Sequence, residues 1–99
     1  MHYSELKEKL LLDKNVESIQ DFVFEDDCLD RALVFFTNGF RFSIIAGDDN
    51  LFEIAVLDRH SNFVDCFFKN DPEYGGNNIL VCNLEKAVDY ISVVGDKNV

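Results

Sequence analysis

The chain has 99 residues, which is enough for one domain and too few for two. Hydrophobic residues make up 47% of it and include ten phenylalanines, so it can build an apolar core and is not a disordered chain. Asp and Glu number 19 against nine Lys and Arg, which gives a formal net charge of −10. This charge excludes a free-standing nucleic-acid binder and disfavours binding to anionic membranes, because both need surface cations.

The three cysteines, Cys28, Cys66 and Cys82, are odd in number, and no pair of them has C-x-x-C spacing. Cys66 and Cys82 lie in apolar runs, which predicts buried thiols. Residues 1–14 carry acids and lack an apolar stretch, so we expect no signal peptide, and no apolar run is long enough for a membrane helix. These features predict a cytoplasmic protein with free thiols.

Apolar periodicity predicts a helix over residues 4–12, with Ser4 as its N-cap. Alternation of apolar and polar residues predicts five strands, over 16–24, 32–37, 40–46, 51–57 and 63–68. Pro72 and two successive glycines predict a loop over 69–78. A second helix is predicted over 83–94, with Asn83 as N-cap, Gly95 as stop and 95–99 as a flexible tail. The pattern leaves open whether 79–82 adds a sixth strand.

The dipeptide Asn38-Gly39 between two apolar runs is typical of a two-residue β-hairpin turn. Such a turn would pair Thr37 with Phe40, Phe35 with Phe42 and Leu33 with Ile44, and it would place all six on the core face. Short connections predict that each strand pairs antiparallel with the next. The predicted fold class is therefore α+β, with an N-terminal helix, a five-stranded (or six-stranded) antiparallel meander and a C-terminal helix in two layers.

Many of the acids follow alternate strands, whose turns lie at the same end of an antiparallel meander. The acids that would crowd one edge, here called the acidic rim, are Glu25, Asp26, Asp27, Asp30, Asp48, Asp49, Asp71 and Glu73. Two interpretations stay open, namely solvated turn residues and a binding surface for a basic partner protein. We expect no metal, because neither 25–27 nor 48–50 has the spacing of a calcium loop.

A second candidate interface is the sheet face opposite the predicted core face. It would hold Val34, Phe36, Arg41, Ile45, Ala55 and Leu57. Apolar patches with polar margins are typical of protein interfaces, and a homodimer is one way to cover this one. The alternative is that a helix or the 69–78 loop folds over it. The oligomeric state is therefore predicted as monomer or homodimer.

Motifs that carry catalysis are missing from the sequence. The two histidines are His2 at the terminus and His60 in a predicted turn, and the chain has no nucleophile elbow, P-loop or dinucleotide-binding glycine pattern. We therefore predict no catalytic residues, no cofactor and no direct nucleic-acid binding, and we predict a protein that binds other proteins.

The stretches 38–45 and 51–57 resemble those of small, uncharacterised bacteriophage and prophage proteins. The shared features are an N-G-aromatic-x-apolar-S strand, an L-(F/Y)-E-apolar-A-V-apolar strand and a C-terminal helix, and they cover residues 33–94. The resemblance implies a phage-encoded inhibitor of a host nucleic-acid-binding or defence protein, of the anti-CRISPR or DNA-mimic kind, acting in the host cytoplasm. Two alternatives stay open. One is an immunity protein or antitoxin for a cognate toxin, and the other is a small assembly protein that dimerises through its sheet.

Overall fold

An antiparallel sheet with a helix at each end of the chain forms the fold in a computed structural model. The elements are α1 (His2–Leu12), β1 (Val16–Val23), β2 (Leu29–Phe36), β3 (Arg41–Ala46), β4 (Phe52–Leu57), β5 (Phe63–Val64), β6 (Leu80–Cys82) and α2 (Leu84–Gly95). The structure describes residues 2–23, 29–47 and 51–98. The predicted α+β class with its terminal helices is confirmed.

The β2–β3 hairpin has a three-residue loop, which corrects the predicted two-residue turn. The Phe36 N–H donates to the Phe40 carbonyl at 3.0 Å, and the Gly39 N–H donates to the Phe36 carbonyl at 3.1 Å. Gly39 has a φ of +96°, a conformation that glycine adopts without steric strain. Three-residue hairpin loops with glycine at this position are a common solution to strand reversal. The register therefore slips by one residue, and Val34, not Phe35, faces Phe42.

This slip exchanges the two faces of β2, because successive strand residues point to opposite sides of a sheet. Leu33 and Phe35, predicted in the core, lie on the other face, whereas Phe42 and Ile44 are in the core as predicted. The inner face of the sheet instead takes Ala32, Val34 and Phe36 from β2.

The core lies between the inner face and the two helices. Leu6 and Leu10 of α1, and Ala87, Ile91 and Val94 of α2, form one buried cluster with the inner-face side chains. Full burial of a Leu, Ile or Phe side chain stabilises the fold by about 1.5–3 kcal/mol. Both helices therefore cover the same face of the sheet.

The end of the sheet differs from the predicted meander. The strand predicted over 63–68 stops at Val64, because the chain turns over the next six residues and sends Phe68 into the core. The ring of Phe68 contacts Tyr90 edge-on, with centroids 4.9 Å apart. β6 is present and pairs with β4, so β5 and β6 lie one after the other along the same edge of β4.

Two helix boundaries also differ from the predictions. α1 begins at His2, so Ser4 lies inside the helix and is not its N-cap. Asn83 is the N-cap of α2 as predicted, since its side-chain oxygen accepts from the Lys86 N–H at 2.9 Å. Gly95 is the last residue of α2, and Asp96 is its C-cap. None of the helices in the described part of the chain is long and apolar enough to cross a lipid bilayer.

Candidate functional site

The face of the sheet that points away from the helices is here called the outer face. The strand pairings place on it Ser18, Gln20, Arg31, Leu33, Phe35, Arg41, Ser43, Ile45, Glu53, Ala55, Leu57, Phe63 and Val81. Its central apolar side chains are half-buried, apart from Ala55, which is buried. Phe63 and Val81, at its margin, are 56% and 46% exposed. Among the described residues, no helix or strand packs across this face.

Three rows of side chains cross the outer face. One row reads Arg31, Ile45, Glu53, Val81, the next Gln20, Leu33, Ser43, Ala55, and the third Ser18, Phe35, Arg41, Leu57, Phe63. The middle row is uncharged, and each outer row carries at least one charge. Gln20 and Ser43 make half of the middle row polar, and large apolar side chains such as Ile45, Phe35 and Leu57 lie in the outer rows beside the charges.

Arg41 is held on the outer face by three contacts. Its guanidinium lies 5.1 Å from the ring centroid of Phe35 and donates to the Ser61 hydroxyl and, at 3.2 Å, to the Arg59 carbonyl. A guanidinium stacked on a ring keeps its charge available at its free edge while it covers apolar surface. Arg41 is therefore a fixed positive point beside the apolar rows.

The second candidate interface is partly corrected by the register. Val34 and Phe36 are 0% and 1% exposed and belong to the core, so they cannot contact a partner. Arg41, Ile45, Ala55 and Leu57 do lie together on the outer face. Leu33 and Phe35 take the places assigned to Val34 and Phe36. The charges of β2 gave no signal for this exchange, because the adjacent residues Asp30 and Arg31 fall in opposite alternation sets of the strand.

The predicted acidic rim is described only in part. Glu25, Asp26, Asp27, Asp48 and Asp49 lie outside the described residues, as do both weighed calcium segments. β1 and β3 finish, and β2 and β4 begin, at one end of the sheet, where Val23 pairs with Leu29 and Ala46 with Phe52. This end is called the acidic end. Asp30 follows Leu29 in β2 at the same end.

Asp71 and Glu73, the other two rim residues, are bound to α2. The Tyr90 hydroxyl donates to the Asp71 carboxylate at 2.7 Å, and the Lys86 ammonium donates to it at 3.2 Å. Lys86 also donates to the Glu73 carboxylate at 2.5 Å. The Asp71 side chain is only 6% exposed, whereas that of Glu73 is 63% exposed. Asp71 therefore fastens the 69–78 loop to α2, and Glu73 still presents its carboxylate to solvent.

Burial and hydrogen bonds fix the protonation states around Asp71. The Tyr90 hydroxyl, then the Glu73 N–H and the Lys86 ammonium, hold the pKa of Asp71 below its ordinary value. Burial, with the Asp71 carboxylate, raises the pKa of Tyr90 to about 12. The hydrogen bond to Glu73 is the main cause that raises the pKa of Lys86. These shifts keep Asp71 charged and keep Tyr90 and Lys86 protonated at neutral pH.

The two described thiols lie in different surroundings. Cys82 is buried, as predicted, and desolvation raises the pKa of its thiol to about 11, which keeps it protonated at neutral pH. Cys66 is exposed, so its predicted burial is wrong, because the chain turns where the fifth strand was expected to continue. Cys28 lies outside the described residues.

His60 lies in the turn that joins β4 and β5. The Asp58 carboxylate accepts from the backbone N–H groups of His60 and Asn62 at 2.8 and 3.0 Å. The bonds from Asn62 and then His60 lower the pKa of Asp58. Asp58 is therefore committed to closing the turn, and the His60 ring is exposed.

Two of the cavities on the surface are lined by described residues. One, of about 340 Å³, lies at the acidic end and is lined by Leu51, Glu73, Val81, Cys82, Asn83 and Lys86. The other, of about 160 Å³, lies between the helices and is lined by Lys9, Leu10, Leu12, Asp13, Val88, Ile91 and Ser92. The first brings Glu73 next to Leu51, the residue after the 48–50 segment. Comparison of the chain with protein-family models, curated proteins and solved structures found no match.

Proposed function

We propose that this is a non-catalytic, acidic protein that binds a basic partner protein through its acidic end. The observation that carries the proposal is the strand register. The register places the strand ends that flank both acidic connections, 24–28 and 48–50, at the same end of the sheet. With a net charge of −10, the chain would attract a basic surface by long-range electrostatic steering.

The described residues at the acidic end support a contact surface with apolar as well as charged groups. Glu73 is largely exposed and lines the 340 Å³ cavity together with Leu51 and Val81. Leu51 and Val81 are 39% and 46% exposed. Long basic side chains have aliphatic stems that pack on such apolar surface while the charged head meets a carboxylate. A Lys or Arg of the partner would share the Glu73 carboxylate with Lys86, which binds it and lines the same cavity.

In its more specific form the proposal follows the resemblance to phage proteins. The partner would then be a host nucleic-acid-binding or defence protein, and the acids would occupy the basic groove that takes phosphates. Such contacts are dominated by Lys and Arg and weaken steeply with salt. An inhibitor of this kind needs no catalytic residue.

Two charge-matched variants test the proposal in pull-downs from bacterial lysate. The acidic-end variant carries Asp26→Asn, Asp27→Asn, Asp48→Asn and Asp49→Asn. The control variant carries Glu5→Gln, Glu8→Gln, Glu17→Gln and Asp89→Asn, all at exposed positions. Both remove four negative charges. We expect the wild type and the control to retain a basic partner that salt releases, and the acidic-end variant to lose it. Equal binding by both variants would contradict the proposal.

A further inference from the structure

The sequence contains one Asn-Gly dipeptide, Asn38-Gly39, and it lies in the loop of the β2–β3 hairpin. An asparagine side chain loses ammonia spontaneously when the backbone nitrogen of the next residue attacks its Cγ. Glycine in the next position favours this attack, because it has no Cβ to obstruct the approach or to restrict the backbone. Asn38 is therefore the asparagine of this chain whose sequence most favours deamidation.

The fold holds the Asn38 side chain in place through both atoms of its amide group. The amide nitrogen donates to three carbonyls at and just beyond the end of α2, those of Val94, Gly95 and Lys97, at 2.9, 3.3 and 3.0 Å. The amide oxygen accepts from the Phe40 N–H at 3.0 Å. Movement of the Asn38 Cγ toward the Gly39 nitrogen would break these bonds. Carbonyl oxygens also cannot supply a proton to a departing ammonia.

The attacking nitrogen is engaged as well. The Gly39 N–H donates to the Phe36 carbonyl at 3.1 Å, and this nitrogen must lose its proton in order to attack. The Thr37 N–H donates to the Asn15 carbonyl at 2.8 Å, which fixes the residue before Asn38. Asn38 and Gly39 are both half-buried. The two reacting groups are therefore held in other contacts for as long as the hairpin loop and the end of α2 stay together.

We propose that Asn38 is a deamidation site which reacts only after the end of α2 has separated from the hairpin loop, and whose reaction keeps α2 from binding there again. The inference rests on the contacts of Asn38 and is independent of the proposed function. The Gly39 nitrogen forms a bond to the Asn38 Cγ, the bond from Cγ to the side-chain nitrogen breaks, and ammonia leaves with the Gly39 proton. Water then opens the cyclic imide and leaves aspartate or isoaspartate.

The product no longer fits the end of α2. An aspartate at position 38 turns a carboxylate, which donates no hydrogen bond, toward the carbonyl oxygens that the amide bound. These carbonyls carry the partial negative charge of a helix C-terminus, so they repel a carboxylate. Isoaspartate also carries a carboxylate, and it adds one carbon to the backbone of the three-residue loop. Either product therefore keeps α2 from closing on the hairpin as it does in the unmodified protein.

Incubation of the full chain in mildly alkaline buffer, with and without urea, tests the first half of the proposal. Mass spectrometry of peptides that contain residue 38 measures the exchange of ammonia for water. We expect deamidation of Asn38 to be at least about tenfold faster in urea, because the folded chain reacts only through its opened fraction. Equal rates in the two conditions would overturn the proposal.

A matched pair of alanine variants tests whether the end of α2 controls the reaction. The Cβ of Gly95→Ala would lie 3.1 Å from the Asn15 Cβ, whereas that of Gly75→Ala would have no atom within 4 Å. Without urea, Gly95→Ala should deamidate at Asn38 at least about fivefold faster than wild type, and Gly75→Ala within about twofold of it. Circular dichroism confirms that each variant is folded. Equal rates in the two variants would contradict control by α2.

Refolding tests the second half with the wild-type chain alone. The deamidated and unmodified fractions from one urea incubation are separated by charge and refolded by dilution. Because both have the same history, a difference between them comes from residue 38. The deamidated fraction should unfold at a lower temperature and should match Asn38→Asp where its product is aspartate. Identical melting temperatures for the two fractions would overturn this half of the proposal.

Discussion

Asp71 joins the 69–78 loop to α2 through one carboxylate. It accepts from Tyr90 and Lys86 of α2 and, at 2.9 Å, from the backbone N–H of Glu73 in the loop after β5. Hydrogen bonds to a charged acceptor contribute about 1.5–3 kcal/mol each when they are shielded from water. A single side chain thus decides how the loop sits on the helix that completes the core.

Asp71→Asn should lower the free energy of unfolding at pH 7 by about 1–2 kcal/mol, because the amide keeps the shape but loses the charge. The folded state lowers the pKa of Asp71 below 3.8, so its contribution is complete above that pH and disappears as the pH falls through the folded value. In urea unfolding, the difference in free energy of unfolding between wild type and Asp71→Asn should therefore be larger at pH 7 than at pH 3. Asp89→Asn, at an exposed position of α2, is the control, and an equal loss there would contradict this role for Asp71.

A single carbon added at Gly95 should destabilise the fold, because the space around this residue is already filled. A Cβ there would lie 3.1 Å from the Asn15 Cβ and 3.2 Å from the Phe36 ring. Gly95→Ala should destabilise the protein by about 1–3 kcal/mol, despite the better helix propensity of alanine. Gly75→Ala has no atom within 4 Å of its added carbon and should be neutral within about 0.5 kcal/mol. Thermal unfolding of both variants gives the comparison, and equal melting temperatures would refute the steric argument.

At the scale of elements, the β2–β3 hairpin and α2 are fastened to each other. The Asn38 amide donates to the carbonyls of Val94 and Lys97 at 2.9 and 3.0 Å, at the end of α2. Its oxygen accepts from the Phe40 N–H at 3.0 Å within the hairpin loop. The carbonyls at a helix end have no partners within the helix, so a side-chain amide that binds them acts as a cap from outside.

Asn38→Asp should destabilise the fold by about 1–3 kcal/mol, because it replaces a donor with a carboxylate facing carbonyl oxygens. The hairpin bond to Phe40 survives the change, so the loss isolates the contact with α2. Asn77→Asp is the matched control, since Asn77 uses only its oxygen, which accepts from the Ile79 N–H at 3.3 Å. Urea unfolding measures both variants. A loss for Asn77→Asp as large as that for Asn38→Asp would show that the added charge alone is responsible.

The sequence pattern correctly predicted those elements that are determined by residues close together in the chain. The alternation in β4 and the Asn83 cap of α2 both depend on neighbours within a few residues, and both are confirmed. The loop length of the hairpin was missed because Asn38 meets the end of α2, which lies 56 residues away in the chain. The early end of β5 was missed for the same kind of reason, since Phe68 leaves the sheet to pack on Tyr90.

The candidate sites carry the same lesson. A one-residue slip moved Val34 and Phe36 into the core and brought Leu33 and Phe35 onto the outer face. Alternation alone could not choose between these sets, because both faces of β2 are apolar. The charges of β2 could not choose either, since Asp30 belongs to one set and Arg31 to the other. For the acidic rim, the sequence did not predict that Lys86 would bind Asp71 and Glu73.

At the scale of the whole molecule, stability should fall in alkali. Burial raises the pKa of Cys82 from 9.0 to about 11 and is the main cause that raises that of Tyr90 from 10.0 to about 12. Each of these two pKa values is higher in the folded state than in the unfolded state. The stabilisation from the protonated side chain is therefore complete below the unfolded-state pKa and is lost as the pH rises toward the folded-state pKa. The free energy of unfolding should therefore decline from about pH 9 upward.

Cys82→Ala should flatten part of this decline. Cys82→Ala should lower the free energy of unfolding by about 1 kcal/mol at pH 8, because packing contacts are lost. It also removes one titrating group, so the difference in free energy of unfolding from wild type should narrow toward pH 11. Urea unfolding under reducing conditions at pH 8, 9, 10 and 11 measures the slopes. Cys66→Ala removes an exposed thiol and should keep the wild-type slope. A parallel offset for Cys82→Ala across all four pH values would rule out this account.

β5 and β6 lie along the same edge of β4, so the chain can be cut in the loop between them. A Cβ added at Gly75 or Gly76, in the loop between those two strands, would have no atom within 4 Å. A cut there would leave Asp71 and Phe68 with the sheet and would release β6 and α2 as one piece. That piece can bind the rest of the protein again, because β6 pairs with β4 and α2 supplies Ala87, Ile91 and Val94 to the core. The protein is thus suited to fragment complementation, in which two separately made pieces restore one fold when they meet.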